Sequence, residues 1–225
     1  VTKRIVRSAL ALTCAALLAG CGSLGIRVAE NDGGPVKVGV SAQKGPASNS
    51  EPTEEPVPDG FEKVTYEGDC PFDVSMVMPD DYKSTGGVTG LAVYTDDFTK
   101  LDEKIVVNCK KSFGRSLNEA RDSHMDYLVN KPESDVLLQN RYDVDGAVAG
   151  VFQVKLAKGE IYATSSDVQM VGTIYVGYAD GALWELKVEG TSIWGDQART
   201  KKHQTVIDHI SVDGHKLKTL DWKDM

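Results

Sequence analysis

Two Asp-Gly dipeptides, each set between alternating apolar runs, limit most strongly what this chain can become. Val168 to Tyr178 and Leu183 to Val188 are joined by Asp180-Gly181, and Trp184, Leu186 and Val188 alternate with Glu185, Lys187 and Glu189. Period-two alternation places the first set inward and the second outward, and Asp-Gly is the dipeptide that a tight type I′ hairpin turn demands. Val136 to Tyr142 and Val148 to Leu156 repeat the arrangement around Asp145-Gly146, with Phe152, Val154 and Leu156 set against Gln153 and Lys155. Strands joined by such short turns pair antiparallel, because parallel neighbours need a crossover of a dozen residues or more.

Upstream, Phe72, Val74, Met76 and Met78 alternate with Asp73 and Ser75 and stop at Pro79-Asp80-Asp81. Gly86-Gly87 marks a turn, Val88 to Thr95 a second strand, and Ile105 to Val107 a third that leads to Cys109. These three are expected to form a meander. Ser116-Leu117-Asn118-Glu119 is a capping box, in which the serine accepts from the amide three residues on and the glutamate reaches back to the serine amide. The helix it opens carries Leu117, Ala120, His124, Tyr127 and Leu128 on one face and cannot run far past Pro132. Gly195-Asp196 opens a second helix to about Asp208, and Ile210 to Val212 adds a last short strand. Helices that do not interleave with the strands predict an α+β fold, an antiparallel sheet flanked by helices.

The amino-terminal part reads differently. Lys3, Arg4 and Arg7 precede an apolar stretch, Ala9 to Leu18, that is too short to span a bilayer. Residues 1–20 therefore read as a secretory signal, with cleavage between Gly20 and Cys21 and a lipid on the Cys21 thiol, since Leu18-Ala19-Gly20-Cys21 resembles the lipobox of bacterial lipoproteins. Diacylglycerol on the Cys21 sulfur, with palmitate as an expected acyl chain, would hold the protein to the extracytoplasmic face of the cell membrane, since two acyl chains suffice where one is marginal. Residues 21–60, rich in Gly, Ser, Pro and Glu, bury too little to offset their ordering entropy and predict a tether. As a coil those residues span roughly 35 Å. The alternation of Val36, Val38 and Val40 sits in glycine-rich surroundings and reads as loop.

Residues 61–225 are one domain by length. Cys14 leaves with the signal and Cys21 is acylated, so Cys70 and Cys109 remain. Two thiols in an exported chain favour one disulfide over two buried free thiols or a metal site, no histidine lying close to either in sequence. Removing residues 1–20 takes away Lys3, Arg4 and Arg7 and no acid, so the formal charge goes from −8 to −11. That excludes a basic nucleic-acid-binding face and predicts that the domain stands off anionic lipid.

A lipobox, a polar tether, a strand ending in Met78-Pro79, a helix opened by Ser116-Leu117-Asn118-Glu119-Ala120, the Val144-Asp145-Gly146-Ala147 turn and Asp180-Gly181-Ala182-Leu183-Trp184 together resemble the LpqN/LpqT-type actinobacterial lipoproteins. The resemblance implies a Mog/PsbP-like α/β/α sandwich and a non-enzymatic binding or accessory role in the cell envelope, with an envelope protein or glycolipid as partner. The long acidic tether and the Cys70 and Cys109 pair depart from that pattern.

Candidate chemistry is sparse. Gly114-Arg115-Ser116-Leu117-Asn118 lacks the last glycine of a nucleophile elbow, and capping accounts for Ser116. Gly86 to Gly90 lacks a P-loop's lysine, and Asp143-Val144-Asp145-Gly146 lacks a calcium loop's closing glutamate, Val154 standing there. His203, His209 and His215 are spaced by six, which does not place two imidazoles on one helix face, and they read as surface residues. No metal or cofactor signature emerges, and a monomer is expected. Asp80-Asp81, Asp96-Asp97 and Asp102-Glu103 predict an acidic rim at one sheet end. Arg199, Lys201 and Lys202, beside His203, stand out as a basic cluster for a partner. The alternatives to a protein-binding surface are a carrier pocket for a lipid or small hydrophobe near Trp184, Tyr127 and Phe152, and a hydrolase with His124 as base.

Overall fold

The computed structural model describes residues 55–84, 89–100, 102–161 and 164–223, all within the unit Thr53–Met225. The signal, Cys21 and the tether as far as residue 54 lie outside the described residues, as does the Gly86-Gly87 turn.

The two Asp-Gly hairpins lie side by side and make four strands of a seven-stranded antiparallel sheet. Its strands are β3 (Lys83–Ser84), β4 (Leu91–Thr95), β5 (Lys104–Lys111), β6 (Asp135–Val144), β7 (Ala147–Leu156), β8 (Val168–Ala179) and β9 (Ala182–Ile193), in the order β3-β4-β5-β9-β8-β7-β6. Asp180 and Gly181 both hold positive φ, 50° and 72°, the type I′ geometry that suits the twist of the β8–β9 ribbon. A four-stranded sheet, β1-β2-β10-β11, is built from β1 (Phe61–Thr65), β2 (Val74–Pro79), β10 (Ser211–Val212) and β11 (His215–Lys216). Helix α1 (Leu117–Val129) packs on β7, β8 and β9; helix α2 (Gln197–Asp208) packs on β8, β9 and β2.

Strand parity sorts the core into two layers. Val148, Phe152, Val154, Leu156, Met170, Ile174 and Val176 meet Ala120, Met125 and Leu128 of α1. Ala149, Val151, Val171, Leu186 and Val188 meet the small sheet and Val206, Ile207 and Ile210 on the opposite face. The architecture is therefore the expected α+β sandwich, an antiparallel sheet flanked by helices.

The expected meander does not form. Val74, Met76, Val77 and Met78 are all buried, so β2 is covered on both faces, and it pairs with β1 and β10 in the small sheet instead of with β4. Cys70 and Cys109 nonetheless form a disulfide with Cα atoms 5.5 Å apart, tying the loop before β2 to β5. Strand β4 begins at Leu91 because Gly90 turns with φ of 79°. The cap of α1 is also altered: Ser116 Oγ accepts from the Glu119 amide at 3.2 Å, but the glutamate accepts from the Arg115 amide, one residue earlier than the standard box. The buried stripe of the helix is centred on Met125, with Ala120, Arg121 and Leu128, and this rotation carries Tyr127 to the exposed edge.

Candidate functional site

Helix α1 covers only part of its face of the large sheet. Beyond it the α1-facing residues of β4 and β5, namely Leu91, Val93, Lys104, Val106 and Asn108, are half-buried and form the floor of an open trough. Tyr127 and Leu128 of α1 make one wall, Ile161 and Met170 close one end, and the space is about 480 Å³. An adjoining hollow of about 380 Å³ shares His124, Tyr127 and Lys187 with it and reaches Lys110 and Phe113.

The polar floor comes from β9. Glu185, Lys187 and Glu189, which alternation assigns to solvent, face α1 and are largely covered. Cross-strand register sets Lys187 beside Asn108 and Glu189 beside Val106. His124 descends from α1 between them: Nδ1 lies 3.2 Å from Lys187 Nζ, and Nε2 lies 2.7 Å from Glu189 Oε1. An ammonium can only donate, so the bonds run from Lys187 to His124 to Glu189. Burial pushes the Glu189 carboxyl up, but the hydrogen bond and positive end of His124, with the charge of Lys187, outweigh it and the net shift is downward. The imidazole edge packs on Phe152, ring centroids 6.2 Å apart. The trough thus pairs an apolar wall with an internally matched line of donor, relay and acceptor, an arrangement suited to holding an amphipathic ligand.

Of the expected pocket residues only Tyr127 lines this space. Phe152 is fully buried beneath α1, and Trp184 lies on the opposite face of the sheet with Lys111 Nζ 5.6 Å from its ring. A larger hollow of about 690 Å³ lies between β1 and β4, lined by Glu62, Glu67 and Asp69 with Tyr66, Tyr82 and Tyr94. It gathers acids and phenols, and the basic groups that meet it, Arg199 donating to Tyr82 Oη at 3.2 Å and Lys202 over the Tyr82 ring, are already engaged with Asp96 and Asp81.

The basic cluster on α2 has a different setting from the one its sequence suggests. Arg199 donates to both carboxylate oxygens of Asp96 at 2.8 and 3.0 Å and lies 3.3 Å from Glu103, while Lys202 donates to Asp81 at 2.7 Å. One acid from each of the three acidic pairs, Asp81, Asp96 and Glu103, thereby meets a cation of α2, while Asp97 accepts from Thr99 and Asp102 binds Ser165. Lys201 is exposed. Far from being a surface residue, His203 is 1% exposed, with Nε2 2.8 Å from Tyr82 Oη, because the third turn of α2 faces β9 at Gly190. His209 is half-buried and His215 exposed.

No protein-family model matches the chain, and no curated protein matches it in sequence. Among the solved structures to which the chain is similar, three illustrate the likeness. They are the cyanobacterial PsbP protein of Synechocystis (14% identity, TM-score 0.44, covering 68% of this chain and 92% of that one), LpqN of Mycobacterium tuberculosis, described as involved in cell envelope biogenesis (12%, 0.45, 68% and 91%), and the Ran-binding protein Mog1p of Saccharomyces cerevisiae (11%, 0.40, 68% and 95%).

Lys187, Glu189 and Asn108 escape sequence reasoning because a charged alternation on a strand looks like a wet face. Their signal was position: a strand inside the sheet has little wet face to offer. Lys110, Lys111 and Arg115 were likewise missed as a basic group, since they straddle a strand end and a loop.

Proposed function

We propose that the chain is a lipid-anchored, non-enzymatic binding protein of the cell envelope that holds an amphipathic ligand, a lipid or small hydrophobe, in the trough beside α1. The observation that carries this reading is the half-covered sheet face. Apolar side chains of β4 and β5 lie open beside an ordered Lys187–His124–Glu189 line, in a space within the range of small-molecule sites, roughly 300–1,000 Å³. Both ring nitrogens of His124 are engaged, which leaves it no free lone pair for a substrate proton and favours binding over hydrolysis. Anchoring rests on Cys21 and reach on the tether.

The test is to extract the full chain from producing cells and identify co-purifying amphiphiles by native mass spectrometry. Val106→Trp, which fills the trough floor, is expected to abolish the bound mass while leaving the circular dichroism unchanged. A wild-type protein that carries nothing and takes up none of a panel of fatty acids and lysolipids would defeat the trough reading. Anchoring is tested separately: Cys21→Ala is expected to release the protein from the membrane fraction or leave it unprocessed, and an unchanged membrane fraction refutes the anchor.

A further inference from the structure

Between the end of β5 and the start of α1 the chain reads Lys110-Lys111-Ser112-Phe113-Gly114-Arg115. Phe113 is 95% exposed, the most exposed of the large hydrophobic side chains among the described residues. Lys110, Lys111 and Arg115 are exposed as well, and among the described residues no acid forms an ion pair with any of the three, Lys111 lying over the Trp184 ring. This contrasts with α2, whose Arg199 and Lys202 are matched by Asp96, Glu103 and Asp81. Of the acids closest in register and sequence, Glu185 accepts from Ser112 Oγ and pairs with Lys187, while Glu119 accepts from the Arg115 amide and keeps its charge, which leaves the segment net basic.

The exposure of Phe113 is built into the loop. On one side Ser112 is fastened to the sheet, its amide donating to the Leu183 carbonyl at 2.8 Å and its hydroxyl to Glu185. On the other, the Gly114 amide donates back to Ser112 Oγ at 3.0 Å, and its backbone lies so close to α1 that a Cβ there would sit 2.8 Å from Ala120 Cβ. Ser116 then caps the helix. With both neighbours pinned, the phenyl ring is held out in water in a segment that carries Lys110, Lys111 and Arg115, Lys111 leaning over Trp184 on the far face of the sheet. An exposed apolar side chain within a basic segment matches the boundary between headgroups and acyl chains of an anionic bilayer. The overall charge of −8 opposes such contact only weakly, since charges more than about 8 Å from the lipid surface are largely screened at physiological salt.

We infer that the Lys110–Arg115 loop is a membrane-contact site that seats Phe113 in the interface of an anionic lipid surface. The domain then rests on the membrane by this end instead of standing clear of it, and the contact requires neither an occupied trough nor an acylated Cys21.

The test uses the full chain with Phe113→Trp as reporter, incubated with vesicles of phosphatidylglycerol and phosphatidylcholine or of phosphatidylcholine alone, each carrying brominated acyl chains. Position 113 is solvent-exposed, so the substitution leaves the fold intact, and the parent protein supplies the background of Trp184, Trp194 and Trp222. Quenching of the added indole is expected in the anionic vesicles at low salt and is expected to fade with added salt. Neutralising Lys110, Lys111 and Arg115 together to Gln is expected to weaken it on the order of a hundredfold in lipid concentration, about fivefold per charge. Equal quenching in neutral vesicles, or persistence in the triple Gln variant, overturns the electrostatic basis. No quenching above the parent in either lipid overturns the site, and protection of position 113 only when a protein partner is added assigns the loop to that partner instead.

Discussion

Protonating His203 should cost this fold more than protonating any other histidine described. The ring is enclosed between α2 and β9, and its pKa is lowered from 6.5 to about 3, chiefly by burial and then by Arg199, with Lys202 adding to the effect and Asp196 and Asp96 opposing it. Tyr82, itself pushed up to about 12 chiefly by burial, stays protonated and donates to Nε2, so the neutral ring is the form that fits. The unfolded chain takes up a proton below its ordinary pKa while the folded chain refuses it. Stability is therefore intact above about pH 6.5 and drains away as the pH falls towards 3. Between about pH 7 and pH 5 the linkage amounts to roughly 2 kcal/mol, a large share of a typical total of about 5–15 kcal/mol. The perturbation is His203→Gln, whose amide oxygen can still accept from Tyr82 but does not titrate. Denaturant unfolding of both proteins at the two pH values, under oxidising conditions, isolates the effect, since other groups cancel in the difference. Wild type is expected to lose about 2 kcal/mol more than His203→Gln on acidification. Profiles that run parallel to within about 0.5 kcal/mol would refute the reasoning, that being the ordinary error of additivity.

Three further outcomes follow from the same coordinates. Replacing Cys70 and Cys109 together by Ser opens a loop of 39 residues' separation and should lower stability by roughly 4 kcal/mol in urea titrations. Gly190→Ala places a Cβ 2.7 Å from His203 Cβ and should cost about 1–3 kcal/mol by thermal melt, with the His203 ring displaced in its NMR spectrum. Arg199→Met should cost about 3 kcal/mol, because Asp96 loses its cation and the nearly buried Glu103 is left with Lys100 alone, and adding Asp96→Asn should recover part of the loss in a double-mutant cycle.

Much of the fold was legible in the chain because local chemistry announces it. Asp145-Gly146 and Asp180-Gly181 located two hairpins, and the Ser116 and Asp196 caps located both helix starts. What escaped was β1, whose FEKVT run has a single buried-type alternation, and the assignment of β2 to the small sheet, which depends on a partner some 135 residues away at β10. The site was less legible still. Period two sorts Glu185, Lys187 and Glu189 from Trp184, Leu186 and Val188 correctly, but it cannot say that a helix from another part of the chain descends over the charged set. Nor can it say that Arg199 and Lys202, bare in sequence, meet Asp96, Glu103 and Asp81 in space.

Turns, caps and alternation act over a few bonds, so the sequence by itself determined where the two hairpins turn, where the helices begin and which side chains share a face of the hairpin strands. Only the tertiary structure decided what each face meets. That depends on the length and placement of α1, which covers β7 and β8 but stops short of β4 and β5, leaving an amphipathic trough where the chain had written an ordinary half-polar sheet. It depends too on the packing around Ser112 and Gly114, which holds Phe113 in water against its own hydrophobic preference.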